Sequence, residues 1–350
     1  MQRLACVLGL AVLSVAALAA CGGGSASDGA PTAPAATRTP RSEAARATAT
    51  PKRTSTPRPA PTPACADPYP DGSPYEPTPG DPIRLRPIGS PPPVPSYRPI
   101  GFATDRALER VVKGAIGSKE AGHFSVFVKN LDDGKGVSID AARPFYAASL
   151  YKVWVMLEAY HQRNAGLLDF SEEYIGSSYY VSLGLNESEV SACEQLSVDE
   201  AIDRMMSVSD NVAANMVLDR VGAGNVNTAL SGFGMRSTGF FGGQMPTTAA
   251  DMALLMEAIA RSKALNEATS QEMLARLESE VIDDRLPALL PAGTVVAHKT
   301  GNWENATHDA GIVFSPGATY VIVVLTEYGY SDDGAGRIAR LSKAVYDYYN

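Results

Sequence analysis

The stretch from Tyr146 to Leu157 constrains the fold of this chain more than any other. From Leu150 onward it contains no glycine or proline and has apolar residues on nearly every side, a pattern typical of a helix buried inside a domain. Ser149 and Lys152 are three positions apart and therefore share one face of that helix. A buried lysine is costly unless it is paired or neutral, and a neutral amine can activate a neighbouring hydroxyl. The pair predicts a nucleophile at Ser149 with Lys152 as its proton acceptor; the alternative is a half-exposed helix end with a snorkelling lysine.

The N-terminus of the chain indicates export. One basic residue, Arg3, precedes an apolar run from Leu4 to Ala20 that is too short and too rich in small residues to favour a permanent membrane span. The tetrapeptide Leu-Ala-Ala-Cys that ends at Cys21 resembles the lipobox of bacterial lipoproteins, in which the cysteine becomes the lipidated N-terminus after cleavage. We expect residues 1–20 to be a lipoprotein signal peptide, and the lipid on Cys21 to anchor the protein to the outer face of the cytoplasmic membrane or cell envelope. An ordinary cleaved signal is the alternative.

Residues 21–100 differ in composition from the rest of the chain. They hold 20 of its 25 prolines, mixed with threonine, alanine, serine and glycine. Such a segment cannot bury enough apolar surface to offset the entropy of ordering, so we expect a disordered Pro/Thr-rich tether. Between Arg38 and Arg58 it has six basic residues against one acidic residue. This charge would let the segment lie against anionic lipid headgroups, and a stalk that stays in solution is the alternative.

Residues 101–350 form the predicted folded domain. They carry 20 basic and 32 acidic residues, a net charge of −12, which argues against nucleic acid as a partner. Cys65 and Cys193 remain once the signal and the lipid site are set aside, and in an exported protein they could pair, which the sequence leaves open. Neither the cysteines nor the four histidines have metal-site spacing, so we expect no metal. We also expect no cofactor, and a monomer.

The order of predicted elements places strands at both ends of this domain and helices in the middle. Residues 170–194 are polar and rich in tyrosine and serine and predict no clear element. Helices are predicted over 104–116, 149–161, 197–206, 212–221, 249–261, 270–280 and 336–349, and strands over 123–128, 137–139, 294–298, 310–314 and 320–326.

Two further short motifs accompany the Ser149 pair. Ser209-Asp210-Asn211 falls in the break between two predicted helices, and Lys299-Thr300-Gly301 ends an alternating strand near the C-terminus. Each motif alone fits a turn cap or a strand-end lysine. All three in this order indicate one catalytic constellation.

The three motifs resemble those of class A β-lactamases and penicillin-binding proteins. The segments His298-Lys299-Thr300-Gly301-Asn302 and His308-Asp309-Ala310-Gly311-Ile312-Val313 are similar to those of a large subgroup of class A-like serine hydrolases. The resemblance covers residues from about Thr104 to Asn350. It implies an α+β fold in which an antiparallel five-stranded sheet flanked by helices packs against an all-helical lobe, with the site between them.

The resemblance also implies the roles of the catalytic residues. Ser149 attacks the acyl carbonyl, Lys152 accepts its proton, and Ser209 passes a proton to the departing nitrogen. The oxyanion that develops is held by two backbone N–H groups, those of Ser149 and Asn302.

Besides Asn302, five residues are expected to bind the substrate. Asn211 holds the substrate amide, Lys299 and Thr300 bind its carboxylate, and Gly301 lets it approach the strand. Arg285 lies fourteen positions before Lys299 (299 − 285 = 14), where some class A relatives place a second carboxylate-binding arginine. A plain surface charge is the alternative for Arg285.

One part of the class A pattern is missing. The glutamate that activates the deacylating water belongs on a long loop, but the corresponding residues, 232–250, contain no aspartate or glutamate. Gln244 cannot act as a base, and nothing in the sequence singles out Glu187, Glu189 or Glu304 as a replacement.

Three functions stay open at this point. The first is a serine hydrolase that forms an acyl-enzyme on Ser149 with a β-lactam or a D-Ala-D-Ala peptide and releases it slowly or by another base. The second is a penicillin-binding DD-peptidase acting on cell-wall peptides. The third is a surface module that acylates once, or only binds cell-wall peptide.

Overall fold

The computed structural model describes residues 89–99, 101–175, 180–181, 188–191 and 194–350. The predicted signal peptide, Cys21, most of the tether and both cysteines of the possible Cys65–Cys193 pair lie outside the described residues. The strands are β1 (Ala103–Thr104), β2 (Phe124–Asn130), β3 (Lys135–Ile139), β4 (Phe145–Tyr146), β5 (Glu173–Ile175), β6 (Gln195–Ser197), β7 (Pro246–Thr247), β8 (Val295–Trp303), β9 (Ala306–Phe314) and β10 (Thr319–Thr326). The helices are α1 (Arg106–Ile116), α2 (Tyr151–Asn164), α3 (Val198–Ser207), α4 (Asn211–Val221), α5 (Ala223–Phe233), α6 (Ala249–Ala260), α7 (Glu267–Glu278) and α8 (Gly334–Tyr349).

The main sheet has the strand order β1-β3-β2-β10-β9-β8. Its five long strands pair antiparallel, as the resemblance implies. The sixth strand, β1, is a two-residue addition that runs parallel to β3 and was not predicted. The α+β class and the two-part architecture are therefore confirmed, with one more strand than expected.

Strand β10 lies inside the sheet and is buried on both faces. Val321 and Val323 belong to the core shared with the helical lobe, whereas Ile322 and Val324 belong to the core under α1 and α8. Successive side chains of a strand point to opposite faces, so a strand covered on both sides reads as a continuous apolar run. This explains the uninterrupted apolar sequence at the C-terminal end of the domain.

Helix α2 is the centre of the helical lobe, as its sequence predicts. Every side chain from Tyr151 to Gln162 is buried, and the helix contacts α3, α4, α5 and α7. Trp154 is fully buried and its indole N–H points to the sulfur of Met252 on α6. Because α2 is fixed on all sides, the residues at its N-terminal end are held rigidly.

The packed chain begins before Gly101, the boundary that composition predicts. Val94 is 7% exposed, and the ring of Tyr97 stacks on Phe233 at the end of α5 with 5.9 Å between ring centroids. Helix α5 itself was not predicted, because glycine and asparagine in residues 223–233 lower its helix propensity. Among the described residues, no helix has both the length and the apolar character needed to cross a bilayer.

Candidate active site

Ser149 lies in a single 3₁₀ turn, Ala148–Leu150, just before α2 begins. The predicted helix therefore starts two residues later than expected. Ala148 has a φ of 48°, a left-handed value that is strained for a residue with a Cβ atom and is found most often at functional sites. The turn places Ser149 at the N-terminal end of a buried helix, where backbone N–H groups lack intrahelical partners.

Two contacts fix this turn to the sheet. His308 lies 2.9 Å from the Tyr146 carbonyl through Nε2 and accepts from the Thr326 N–H through Nδ1, which assigns the proton to Nε2. Burial lowers the pKa of His308 to about 4, so the ring is neutral. A Cβ atom on Gly301 would lie 3.1 Å from the Ala147 carbonyl oxygen. The missing side chain of Gly301 thus makes room for the turn that carries Ser149, a role that the sequence does not predict.

Lys152 joins the first motif to the second. Its Nζ donates to the Ser209 carbonyl, and it lies 3.0 Å from Ser209 Oγ and 2.7 Å from Asn211 Oδ1. The side chain is fully buried, which rules out the snorkelling alternative. In its neutral form the amine can keep its two N–H donors on the carbonyl-type oxygens and accept a proton from a hydroxyl through its lone pair.

The second motif is held in place by its own aspartate. Asp210 is fully buried and caps α4 by accepting from the Ala213 N–H at 2.8 Å. It also accepts from the Ser188 hydroxyl at 3.0 Å and the Glu189 N–H at 2.6 Å. Ser209, directly before the cap, has a φ of 60° and is 2% exposed. The motif is thus the start of α4, turned so that its serine meets the Lys152 amine.

Strand β8 presents its free edge to Ser149. The Thr300 N–H donates to Glu280 at 3.1 Å and therefore points away from β9. Because N–H directions alternate along a strand, the Asn302 N–H points the same way. Ser149 and Asn302 line one cleft. The two backbone donors expected to hold the oxyanion are on its adjoining walls.

The two expected carboxylate ligands on β8 already hold a carboxylate of the protein. Lys299 Nζ lies 2.7 Å from both carboxylate oxygens of Glu280, and both side chains are fully buried. Thr300 donates to the same group from its hydroxyl at 2.7 Å as well as from its N–H. Sequence reasoning missed Glu280 because it placed the residue inside a helix over 270–280. Helix α7 ends at Glu278, and the residues beyond it turn towards β8.

Arg285 is fully buried, which excludes the surface-charge alternative. Its guanidinium donates to the His308 carbonyl at 2.9 Å and to Asn302 Oδ1 at 2.7 Å, and its Nε lies 3.2 Å from Asp284. In this geometry Arg285 positions the Asn302 side chain.

A second buried pair ties β8 to β9 behind the site. His298 Nδ1 lies 3.0 Å from Asp309 Oδ1, and both side chains are buried. Burial opposes a charge on the ring, but the Asp309 carboxylate outweighs it and raises the pKa of His298. The surroundings thus raise the pKa of His298 on β8 and lower the pKa of His308 on β9.

The cleft in front of Ser149 has a volume of about 690 Å³. Its walls carry aromatic and aliphatic side chains and amides, and no charged residue lines it in the described part of the chain. The apolar side chains are Tyr146, Tyr151, Leu218, Phe240, Met245 and Trp303, and the amides are Asn211, Asn215, Gln244 and Asn302. The described residues contain no His, Cys, Asp and Glu cluster suited to a metal ion.

Of the three candidate replacements for the deacylating glutamate, the two that the structure describes do not line this cleft. Glu189 and Glu304 are exposed and do not line it, and Glu187 lies outside the described residues. The short loop expected to lack a base contributes Gln244 to the lining of the cleft.

Comparison with known proteins shows which family the chain matches. Residues 105–349 match the family described as "Beta-lactamase enzyme family". The chain is 26% identical over 242 residues to the extended-spectrum beta-lactamase PER-1 of Pseudomonas aeruginosa, a match that covers 62% of this chain and 78% of PER-1. It is 40% identical over 81 residues to a beta-lactamase of Bacteroides uniformis, covering 20% of this chain and 27% of that protein.

Solved structures share the fold. The structure of PBP-A has a TM-score of 0.65 at 24% identity and covers 71% of this chain and 98% of PBP-A. An acyl-enzyme complex of a PBP-A mutant with penicillin G has a TM-score of 0.66 at 24% identity, covering 72% and 99%. A beta-lactamase from Sphaerobacter thermophilus has a TM-score of 0.60 at 23% identity, covering 68% and 94%.

Proposed function

This chain belongs to the beta-lactamase enzyme family, and from that membership and the site geometry we propose that it is a serine acyl hydrolase. It forms an acyl-enzyme on Ser149 with a β-lactam or a related amide. The observation that carries the proposal is the contact of buried Lys152 with Ser209 and Asn211, beside a serine that opens onto a large cleft.

The acylation step uses Ser149, Lys152 and Ser209, of which Lys152 and Ser209 are in contact in the structure. Ser149 Oγ forms a bond to the substrate carbonyl carbon, and the bond from that carbon to nitrogen breaks. The Ser149 proton passes to the Lys152 amine. Ser209, which lies 3.0 Å from that amine, delivers its own proton to the departing nitrogen and regains one from Lys152, so that both groups return to their starting state. The Ser149 and Asn302 N–H groups take up the charge on the carbonyl oxygen.

Deacylation is the slow half of this reaction. Water must be deprotonated to attack the Ser149 ester, and the residues described around the cleft provide amides where a carboxylate would serve as the base. We therefore propose a long-lived acyl-enzyme. Steady turnover of a chromogenic cephalosporin would instead favour an efficient β-lactamase, and release of D-Ala from a peptide would favour a DD-peptidase.

Labelling with a fluorescent penicillin tests the nucleophile. Wild-type protein is expected to take up one label that survives denaturation, and Ser149→Ala is expected to take up none. Ser207→Ala is the matched control, since that hydroxyl lies near the second motif but donates only to the Asp203 carbonyl in the structure. Labelling of Ser149→Ala at the wild-type level would refute the assignment.

We further propose export and lipid anchoring through Cys21, on the strength of the Leu-Ala-Ala-Cys tetrapeptide. Cys21→Ser is expected to move the protein from the detergent phase to the aqueous phase in a phase-partition assay. Unchanged partitioning would count against the anchor.

A further inference from the structure

The carboxylate-binding corner of the site is occupied by Glu280. Its two oxygens lie within 2.7 Å of Lys299 Nζ, and they also accept from the Thr300 N–H at 3.1 Å and the Thr300 hydroxyl at 2.7 Å. A substrate carboxylate would use the same donors. The exposure of Lys299 is 0% and that of Thr300 is 2%, so no open face of either remains for a second anion.

The contacts of Glu280 are on the side from which a substrate approaches. The Thr300 N–H points out of the free edge of β8, and Asn302, two residues further along the same edge, lines the Ser149 cleft. Glu280 is thus beside the reaction site and not behind the sheet. Lys299 and Thr300 do not line that cleft, whereas Asn302 does.

The backbone holds Glu280 in this position. Ser279 closes α7 by donating to the Ala275 carbonyl at 3.1 Å, and the Val281 N–H donates to the Ser207 carbonyl at 2.9 Å. Residues on both sides of Glu280 are therefore tied to helices of the lobe. A tethered carboxylate competes at a far higher effective concentration than a free one.

The charge of Arg285, the other cation near the edge of β8, is also balanced by an acidic residue. Arg285 Nε lies 3.2 Å from Asp284, and its guanidinium is turned towards the Asn302 side chain and a backbone carbonyl. Lys299 and Arg285 are thus each matched by an acidic residue of the same chain. The cleft itself has no charged lining residue in the described chain.

We propose that Glu280 is a specificity-determining residue that fills the substrate-carboxylate subsite, so that Ser149 reacts with acyl donors without favouring those that carry a free carboxylate. The inference rests on the proposed acylation of Ser149 and names the substrate class: acyl donors with an apolar acyl group, which need no free carboxylate. Such donors use the apolar walls of the cleft and leave the Glu280–Lys299 pair intact.

The test uses penicillin G and its methyl ester, which differ only in the carboxylate. Acylation rate constants are measured by intact-protein mass spectrometry and divided by each compound's rate of alkaline hydrolysis, which removes the difference in intrinsic reactivity. In wild-type protein the corrected rate constant of the acid is expected to exceed that of the ester by less than about tenfold. Tenfold is the factor that one charge-assisted hydrogen bond to the carboxylate would give.

Glu280→Gln is expected to raise the acid-to-ester ratio by about tenfold or more, because it frees the Lys299 charge while keeping the side-chain size. Glu278→Gln is the matched control: it removes the same charge from an exposed residue at the end of α7 and leaves the ratio unchanged.

Each outcome decides something. A wild-type ratio well above tenfold overturns the inference even if Glu280→Gln fails to fold, and so does a ratio that Glu280→Gln leaves unchanged. In both cases the adduct on Ser149 still supports the proposed function. If neither compound forms an adduct with any variant, the proposed function fails and the inference fails with it.

Discussion

The two sides of Ser149 contrast in charge and in access. On one side is an open cleft of about 690 Å³ with aromatic, aliphatic and amide walls. On the other is a closed cluster, defined here as Glu280, Lys299 and Thr300, in which an ion pair with fully buried side chains leaves no free surface. The open cleft can admit a substrate as it stands. The closed cluster admits an anion only if its own carboxylate moves.

A residue can occur in the expected motif and still be unavailable to a substrate, because another residue of the chain already uses its donors. Lys299 and Thr300 are present in the expected order, and a reading of motifs alone assigns them to the substrate. Their actual partner is a residue from a third segment. Four predictions test the difference between the open cleft and the closed cluster, beginning with the largest change.

Removing one member of the closed cluster's ion pair should have the largest effect on stability. Glu280→Ala leaves a buried Lys299 without its counter-ion, and we expect the free energy of unfolding to fall by about 3–5 kcal/mol. Glu278→Ala, at an exposed site, should change it little. The double variant Glu280→Leu, Lys299→Met should recover much of the loss in urea denaturation, and no recovery would argue against an ionic cause.

The buried His308 should make stability depend on pH. Its folded pKa of about 4 is below the ordinary value of 6.5, so the unfolded chain binds the proton first. The stabilisation is fully present above pH 6.5 and is lost as the pH falls towards 4. Relative to His308→Gln, the free energy of unfolding of the wild-type protein should fall by about 3 kcal/mol over this range, as measured by urea denaturation. Glutamine is chosen because its amide can still donate to the Tyr146 carbonyl.

The exposed His123 provides the control for this pH dependence. His123→Gln should keep the wild-type profile. A His308→Gln profile with the same slope as wild type between pH 6.5 and 4 would show that the ring is not held neutral.

The open cleft should accept a catalytic base. Gln244→Glu places a carboxylate of nearly the same shape among the lining residues, and we expect the acyl-enzyme lifetime to shorten by a factor on the order of 10². Asn225→Asp, outside the cleft, is the control. An unchanged lifetime in Gln244→Glu would mean that the missing base is not what limits deacylation.

The smallest effect is expected at the rim of the open cleft. Trp303 is 57% exposed and its ring lies 5.4 Å from that of Tyr146, centroid to centroid. Trp303→Ala should change stability by less than about 0.5 kcal/mol. It should slow acylation by donors with an aromatic acyl group about two- to tenfold relative to small acyl donors. Val295→Ala, exposed on the same strand, should alter neither quantity.

Much of the fold could be predicted from the sequence because local signals were strong. Ser197 and Glu200 form a capping box at the start of α3, where a helix is predicted from residue 197, and α2 is buried along the length that its apolar pattern indicates. Helix α5 escaped prediction because packing, and not propensity, stabilises residues such as Asn225 and Gly232 in a helix. The parallel strand β1 is too short to give a periodic signal.

The site was predictable to the extent that its residues occur in motifs. Lys152 of α2 contacts Ser209 and Asn211, which lie just before and at the start of α4. Glu280 could not be predicted, because a single carboxylate beyond a helix end gives no pattern, and its partner is selected by tertiary structure alone. The role of Gly301 was likewise set by a neighbouring turn that the sequence does not place.

The central claim is that Ser149 forms an acyl-enzyme and releases it slowly. Its most direct test is a time course of intact-protein mass spectra after wild-type protein is mixed with excess penicillin G, with Ser149→Ala in parallel. We expect a single adduct of one penicillin per chain that maps to Ser149, persists while free penicillin remains, and is absent from the variant. Hydrolysis of many penicillin equivalents with no accumulating adduct, or an adduct on Ser149→Ala, would contradict it.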